Sequence, residues 1–170
     1  MAVSFLFWAL LLLTLPLNWL VAAFLAAAWH ELCHYTLLRL LGGKAEGFRL
    51  GFTGATLDVS GLTPGTEFVT ALAGPLGGLL LTFLWRQFPR LSLCAAVQSV
   101  FNLLPIYPLD GGRALRCILK ESLFTALERF TLAALAALCL CFGLWFPLIW
   151  GLLCLLARKR PCKAPLLKVQ

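Results

Sequence analysis

Charge is the scarcest property of this chain. Only 12% of its 170 residues are charged, seven of them acidic, and histidine occurs twice. A soluble domain carries about 25% charged residues, so 61% hydrophobic residues and a mean hydropathy of +0.92 exclude an ordinary water-soluble fold. The seven cysteines, at 33, 94, 117, 139, 141, 154 and 162, make no CxxC pair and follow no secreted-domain spacing. That excludes a disulfide scaffold and leaves buried thiols that pack as small apolar groups. No repeat, low-complexity tract or appended soluble domain interrupts the apolar text. The net charge of +7 comes without a basic, aromatic-bearing module to hold bases, so nucleic acid is not an expected partner. No basic residue precedes the first apolar stretch, and cleavage near residues 26–28 would leave His30 close to a new terminus, so that stretch is read as retained.

What is present is long runs without charge, over residues 1–29, 68–85, 91–109 and 130–157. A helix needs about 20 apolar residues to cross the hydrocarbon core. The first and last runs are long enough for more than one crossing, and each carries a proline, Pro16 or Pro147, where the chain can turn or kink. The expected fold is all-α and polytopic, with about six transmembrane helices near 3–17, 18–41, 66–85, 91–107, 122–143 and 144–157. Residues 1–157 then form one membrane domain, and 158–170 a basic cytoplasmic tail. With those spans twelve of the 14 Lys and Arg fall on one side, and Arg86 and Arg90 on the other. This positive-inside bias sets both termini in the cytoplasm. As one helix, 130–157 would run about 42 Å against a core of about 30 Å and release the basic tail on the wrong side. Two short spans turning near residues 143–147 are expected instead.

The stretch AAAWHELCHY, residues 26–35, sets both histidines around Glu31 inside an apolar run. Residues four apart lie on nearly the same helix face, so His30 and His34 can offer a ring nitrogen each to one ion. H-E-x-x-H is the zinc-protease arrangement, in which the glutamate serves as general base toward a water activated by the metal. Hydrogen-bonded core histidines are the plainer reading. An acid at membrane depth, costing at least about 2.5 kcal/mol, favours the functional one. Of the other acids, only Asp110 is likewise flanked by spans. It closes NLLPIYPLDGGR, residues 102–113, where Pro105 and Pro108 cannot continue a helix and Gly111 and Gly112 let the backbone turn. Taken alone, Asp110 reads as a helix cap. Beside a pair of histidines lacking a third protein ligand it reads as that ligand, because catalytic zinc takes three and leaves one position open.

These residues carry a resemblance. HELCH, ALAGPLGG at 71–78 and NLLPIYPLDGGR match, in order and separation, the motifs of the site-2 protease family of intramembrane zinc metalloproteases. The chain resembles in particular the compact bacterial branch that contains the stage IV sporulation processing protease. The resemblance covers about residues 5–157 and implies His30, His34 and Asp110 as ligands of one Zn2+ and Glu31 as catalytic base. It further implies a protein substrate with a transmembrane or membrane-proximal cleavage site, and a multi-pass bacterial cell-membrane location. The family's asparagine at the position of Asn102 helps hold substrate; a helix-to-helix hydrogen bond is an equal reading for this residue. Cys33 stands where the family usually has glycine, and about 100° of helix rotation separates it from His34. Neither a nucleotide-sensing module nor a PDZ domain is written in these residues, so regulation, substrate choice and any homo-oligomer or membrane-protein regulator do not carry over.

Between the second and third spans, residues 47–61 alternate apolar and other residues around Thr53 and Gly54, which predicts a small β-hairpin, and the resemblance implies that it is membrane-associated. Its edge could pair with an unwound substrate by strand addition, or the hairpin could simply plug the bundle. Two rival functions remain at this level. A membrane metal-ion transporter should show more metal-binding side chains on a neighbouring helix, yet the chain has no third histidine. A catalytically silent homologue that binds membrane proteins should have lost its base or a ligand, and here all are present.

Overall fold

The structure, a computed structural model, describes residues 16–51, 54–60 and 63–142. The chain divides into two compact units, Met1–Ala133 and Ala134–Gln170. All the elements below belong to the first except the C-terminal turns of the last helix.

Helix α1, Leu17–Leu40, starts directly after Pro16, whose carbonyl accepts from the amides of Trp19 and Leu20. It ends where Gly42 takes a left-handed φ of 77°, which lets the Gly42 and Gly43 amides turn back onto the carbonyls of Arg39 and Leu38. Strands β1, Lys44–Gly51, and β2, Gly54–Ser60, follow as an antiparallel pair. The ladder runs from Lys44 opposite Ser60 to Gly51 opposite Gly54, with an irregularity between Ala45 and Gly47. Pairing therefore reaches three residues beyond the alternating stretch, because a ladder needs only backbone groups while alternation is a side-chain signal.

Helix α2, Pro64–Leu80, has Thr63 as its cap, accepting from the Thr66 amide at 3.3 Å, with Pro64 in the first turn and Glu67 near the positive end of the helix dipole. A 3-10 turn, Leu81–Leu84, extends it. Helix α3 is Pro89–Asn102, α4 is Asp110–Ile118 and α5 is Glu121–Cys141.

α1 packs on α2 and α3, and α2 packs on α3 and α4. The buried positions are mostly small: Ala22, Ala26, Ala71, Gly74, Gly77, Gly78, Ser92, Ala95 and Ser99. Large side chains point outward instead, with Phe24, Phe83 and Phe130 each 73% exposed or more. Small residues inside and aromatic ones outside is the pattern of helices that pack in lipid, where burial of apolar surface drives nothing and close approach does. Two helical stretches among the described residues, Pro64–Leu84 and Glu121–Cys141, are long and apolar enough to cross a membrane.

The other expected spans fare differently. At 1.5 Å per residue α1 is about 36 Å long, although Glu31 and Arg39 lie within it. α3 has 14 residues, so it spans about 21 Å and stops five residues before the expected end at 107. The prolines at 105 and 108 set that limit. The expected spans 144–157 and, but for its last two residues, 3–17 lie outside the described residues, as do the turn near 143–147 and the tail 158–170.

Candidate metal centre

His30 and His34 lie one turn apart on α1, and both rings face α2. His34 Nδ1–H donates to the Thr70 carbonyl on α2 at 2.8 Å. That bond fixes the tautomer, so the lone pair of Nε2 looks away from α2's backbone and toward His30. Trp29, just before the first histidine, pins the same helix pair by donating from Nε1 to the Gly77 carbonyl at 2.9 Å. The two rings meet edge-on, 4.7 Å between centroids.

Asp110 enters from the far side. α3 ends at Asn102, and residues 103–109 form an irregular loop that leads directly into α4, with Asp110 as that helix's first residue. Leu109 occupies the cap position and no side chain caps the helix, so the carboxylate is free for another task. Its Oδ2 lies 3.0 Å from His30 Nε2 and 3.2 Å from His34 Nε2, and the two Nε2 atoms are 3.1 Å apart. Oδ1 faces Arg113 Nη1 at 3.9 Å, and the same guanidinium reaches Glu67 Oε1 on α2 at 3.9 Å. His30 and Asp110 are buried and His34 is half-buried.

Two imidazole nitrogens and a carboxylate oxygen, each a metal donor once it carries no proton, converge here on one point. Ligands about 2.0–2.2 Å from a tetrahedral zinc stand roughly 3.3–3.6 Å from one another, and the observed separations of 3.0–3.2 Å are a few tenths of an ångström shorter than that triangle. His30, His34 and Asp110 are the one group of three potential ligand residues among the described residues that could hold a metal ion. Two imidazoles and a carboxylate leave one tetrahedral position for water or substrate, the pattern of a catalytic rather than a structural site.

Of the other residues singled out in the sequence, Asn102 is brought to the site, its Nδ2 3.4 Å from His30 Nε2. Glu31 lies on the exposed side of α1, and no hydrogen bond or ion pair joins it to the three ligands. Cys33 turns toward Gly77 and stays outside the cluster. ALAGPLGG entered the sequence reading as a matching motif; in the structure a Cβ at Gly74 would run into both histidine Nε2 atoms, so glycine leaves the rings their space. The Thr70 carbonyl could not have been found, since a backbone acceptor leaves no mark on residue type.

No family model matches the chain. It is 31% identical to a zinc metalloprotease of Methanocaldococcus jannaschii over 157 residues, covering 81% of this chain and 44% of that protein. It is also 31% identical to stage IV sporulation protein FB of Bacillus subtilis over 154 residues, covering 81% of this chain and 53% of that one. The chain is similar in sequence to these two proteins and in fold to a site-2 protease. It spans about half the length of these curated relatives. The fold agrees with a solved site-2 protease from Methanocaldococcus jannaschii, with a TM-score of 0.59 and 24% identity over 86% of this chain and 80% of that one. Site-2 proteases are membrane-embedded, in keeping with the two apolar helices found here. Zinc, the metal in the relatives' names, suits the donor set of this site.

Proposed function

We propose that this chain is an intramembrane zinc metalloprotease that hydrolyses peptide bonds in or beside the transmembrane segments of protein substrates. The convergence of His30 Nε2, His34 Nε2 and Asp110 Oδ2 on one point carries the reading. Zinc held there supplies a Lewis acid that polarises a carbonyl and makes water nucleophilic near neutral pH.

The chain's own residues do the rest. Glu31, adjacent to the first ligand and exposed, takes the proton of the attacking water and returns it to the leaving amine. Asn102, beside His30, turns its amide toward the substrate carbonyl. Asp110 and the two histidines hold the ion, and the Thr70 carbonyl keeps His34 in its binding tautomer. The β1–β2 pair, associated with the membrane, offers an open edge to which an unwound substrate segment adds as a strand. The chain forms about six spans in a bacterial cell membrane, with residues 1–157 as the protease domain, the tail 158–170 and both termini in the cytoplasm, and the metal about 10 Å inside the cytoplasmic end of α1. A homo-oligomer or a membrane-protein regulator is compatible with these spans.

The test is co-expression with single-span substrates, comparing the wild type with Glu31→Gln. The variant is expected to lose cleavage by about 100- to 10,000-fold while keeping one zinc per chain. Cleavage that survives the substitution removes Glu31 from its role, and a wild-type chain purified without zinc sinks the metalloprotease reading.

A further inference from the structure

The loop 103–109 is what brings Asp110 to the histidines, and its backbone donors find partners within the protein. Its prolines, Pro105 and Pro108, have no N–H. Four of its remaining donors are taken by nearby carbonyls: Leu103 by Ser99, Leu104 by Phe101, Ile106 by Leu104 and Leu109 by Ile106. The Tyr107 amide is the exception. It donates to Glu128 Oε1 on α5 at 2.9 Å, across 21 residues.

Glu128 is 7% exposed, a buried acid like Asp110. A carboxylate is expensive to bury, so its position one hydrogen bond from the metal loop calls for a reason. The Tyr107 ring is held from the same quarter. Arg116 stacks over it at 4.9 Å and over Phe124 of α5 at 5.8 Å, and pairs with Glu121 at 3.5 Å. At its other end the loop folds tightly onto α4. A Cβ at Gly111 would collide with the carbonyls of Leu103 and Leu104, and one at Gly112 with the backbone of Ile106 and Tyr107. The loop is thus packed against the first turn of α4 and tied to α5 by the carboxylate of Glu128.

We propose that Glu128 is a positioning residue of the metal site: by accepting the Tyr107 N–H it fixes the loop that orients Asp110, and so sets how tightly the site holds its ion. This rests on the metal reading of His30, His34 and Asp110. Groups that orient a ligand in this way typically change metal affinity by about 10- to 100-fold when removed.

The experiment is a zinc competition titration against a chromogenic chelator, on the full chain in detergent and in a Glu31→Gln background so that turnover plays no part. Glu128→Leu, which keeps the bulk and removes the acceptor, is expected to weaken zinc by about 10- to 100-fold. Glu128→Gln, which keeps an acceptor oxygen, is expected to restore affinity to about threefold of the parent. The thermal midpoint of the zinc-free proteins separates this from a purely structural role. Zinc affinity unchanged in Glu128→Leu, with only the zinc-free midpoint lowered, overturns the proposal. Equal loss in Glu128→Gln and Glu128→Leu overturns it too, since the accepted hydrogen bond would then not be the cause. Should Glu128→Leu fail to fold, Glu128→Asp, one methylene short of the loop, is expected to weaken zinc by about tenfold, and parental affinity there refutes the role. A parent chain that takes up no zinc refutes the metal reading and this proposal together, a result distinct from a zinc-binding parent with indifferent variants.

Discussion

At the scale of single residues, the site depends on an absence as much as on its ligands. Gly74 lies against the ring edges of both histidines, and the space a methyl group would need is the space in which the two Nε2 atoms converge. Gly74→Ala is expected to displace a ring, lower stability by about 1–3 kcal/mol and lower the zinc content well below one per chain. Elemental analysis of the purified variant beside the wild type is the measurement; full zinc occupancy in Gly74→Ala would show that the rings can move aside without cost. The two histidines differ in their support. His34 is held by the Thr70 carbonyl, whereas His30 Nδ1 is buried with no hydrogen-bond partner among the described residues. His30 is instead confined by the buried packing around it and by Asp110.

At the scale of elements, the close approach of α2 to its neighbours determines where the site lies. Gly77 faces Cys33 on α1, and Gly78 faces Ser99 on α3, whose buried hydroxyl has no hydrogen-bond partner among the described residues. A Cβ at Gly78 would clash with that hydroxyl, yet it would stand 3.6 Å from Ser99 Cβ, an ordinary contact. Gly78→Ala alone is therefore expected to destabilise by about 1–3 kcal/mol. Ser99→Ala alone should be close to neutral, because it removes a polar group that is buried unpaired. Together the two should recover most of the loss, giving a coupling of about 0.5–3 kcal/mol in a double-mutant cycle. Thermal midpoints of the four proteins in one detergent give the answer, and strict additivity would mean that α2 and α3 are not in contact through this pair. The break between α3 and α4 belongs to the same scale. Pro105 and Pro108 end one helix, and the glycine pair lets the next begin hard against the loop.

At the scale of the whole chain, orientation follows from where the basic residues fall. Arg90 at the start of α3 lies 6.0 Å from the ring of Trp19 at the start of α1, so these two helix beginnings share one end of the bundle, away from the metal ligands in the second half of α1. Reporter fusions after residues 87, 120 and 170 are expected to place the first outside and the other two in the cytoplasm. A fusion after residue 170 that reports from outside would mean that 130–157 crosses once.

Much of the site was legible in the residues themselves. A helical turn fixes the spacing of His30 and His34, charge is costly in lipid wherever it lies, and proline and glycine break a helix by local sterics, so these needed no neighbours to be read. The role of the glycine at 74, the carbonyl of Thr70 and the reach of Glu128 to Tyr107 were not legible, because each is a relation between segments far apart in the chain. The sequence by itself determined which atoms could bind a metal, since that is a matter of residue type and local period. Only the tertiary structure decided that Asp110 Oδ2 comes to 3.0 Å of a ring 80 residues away, because that distance is set by how closely small residues let the helices approach.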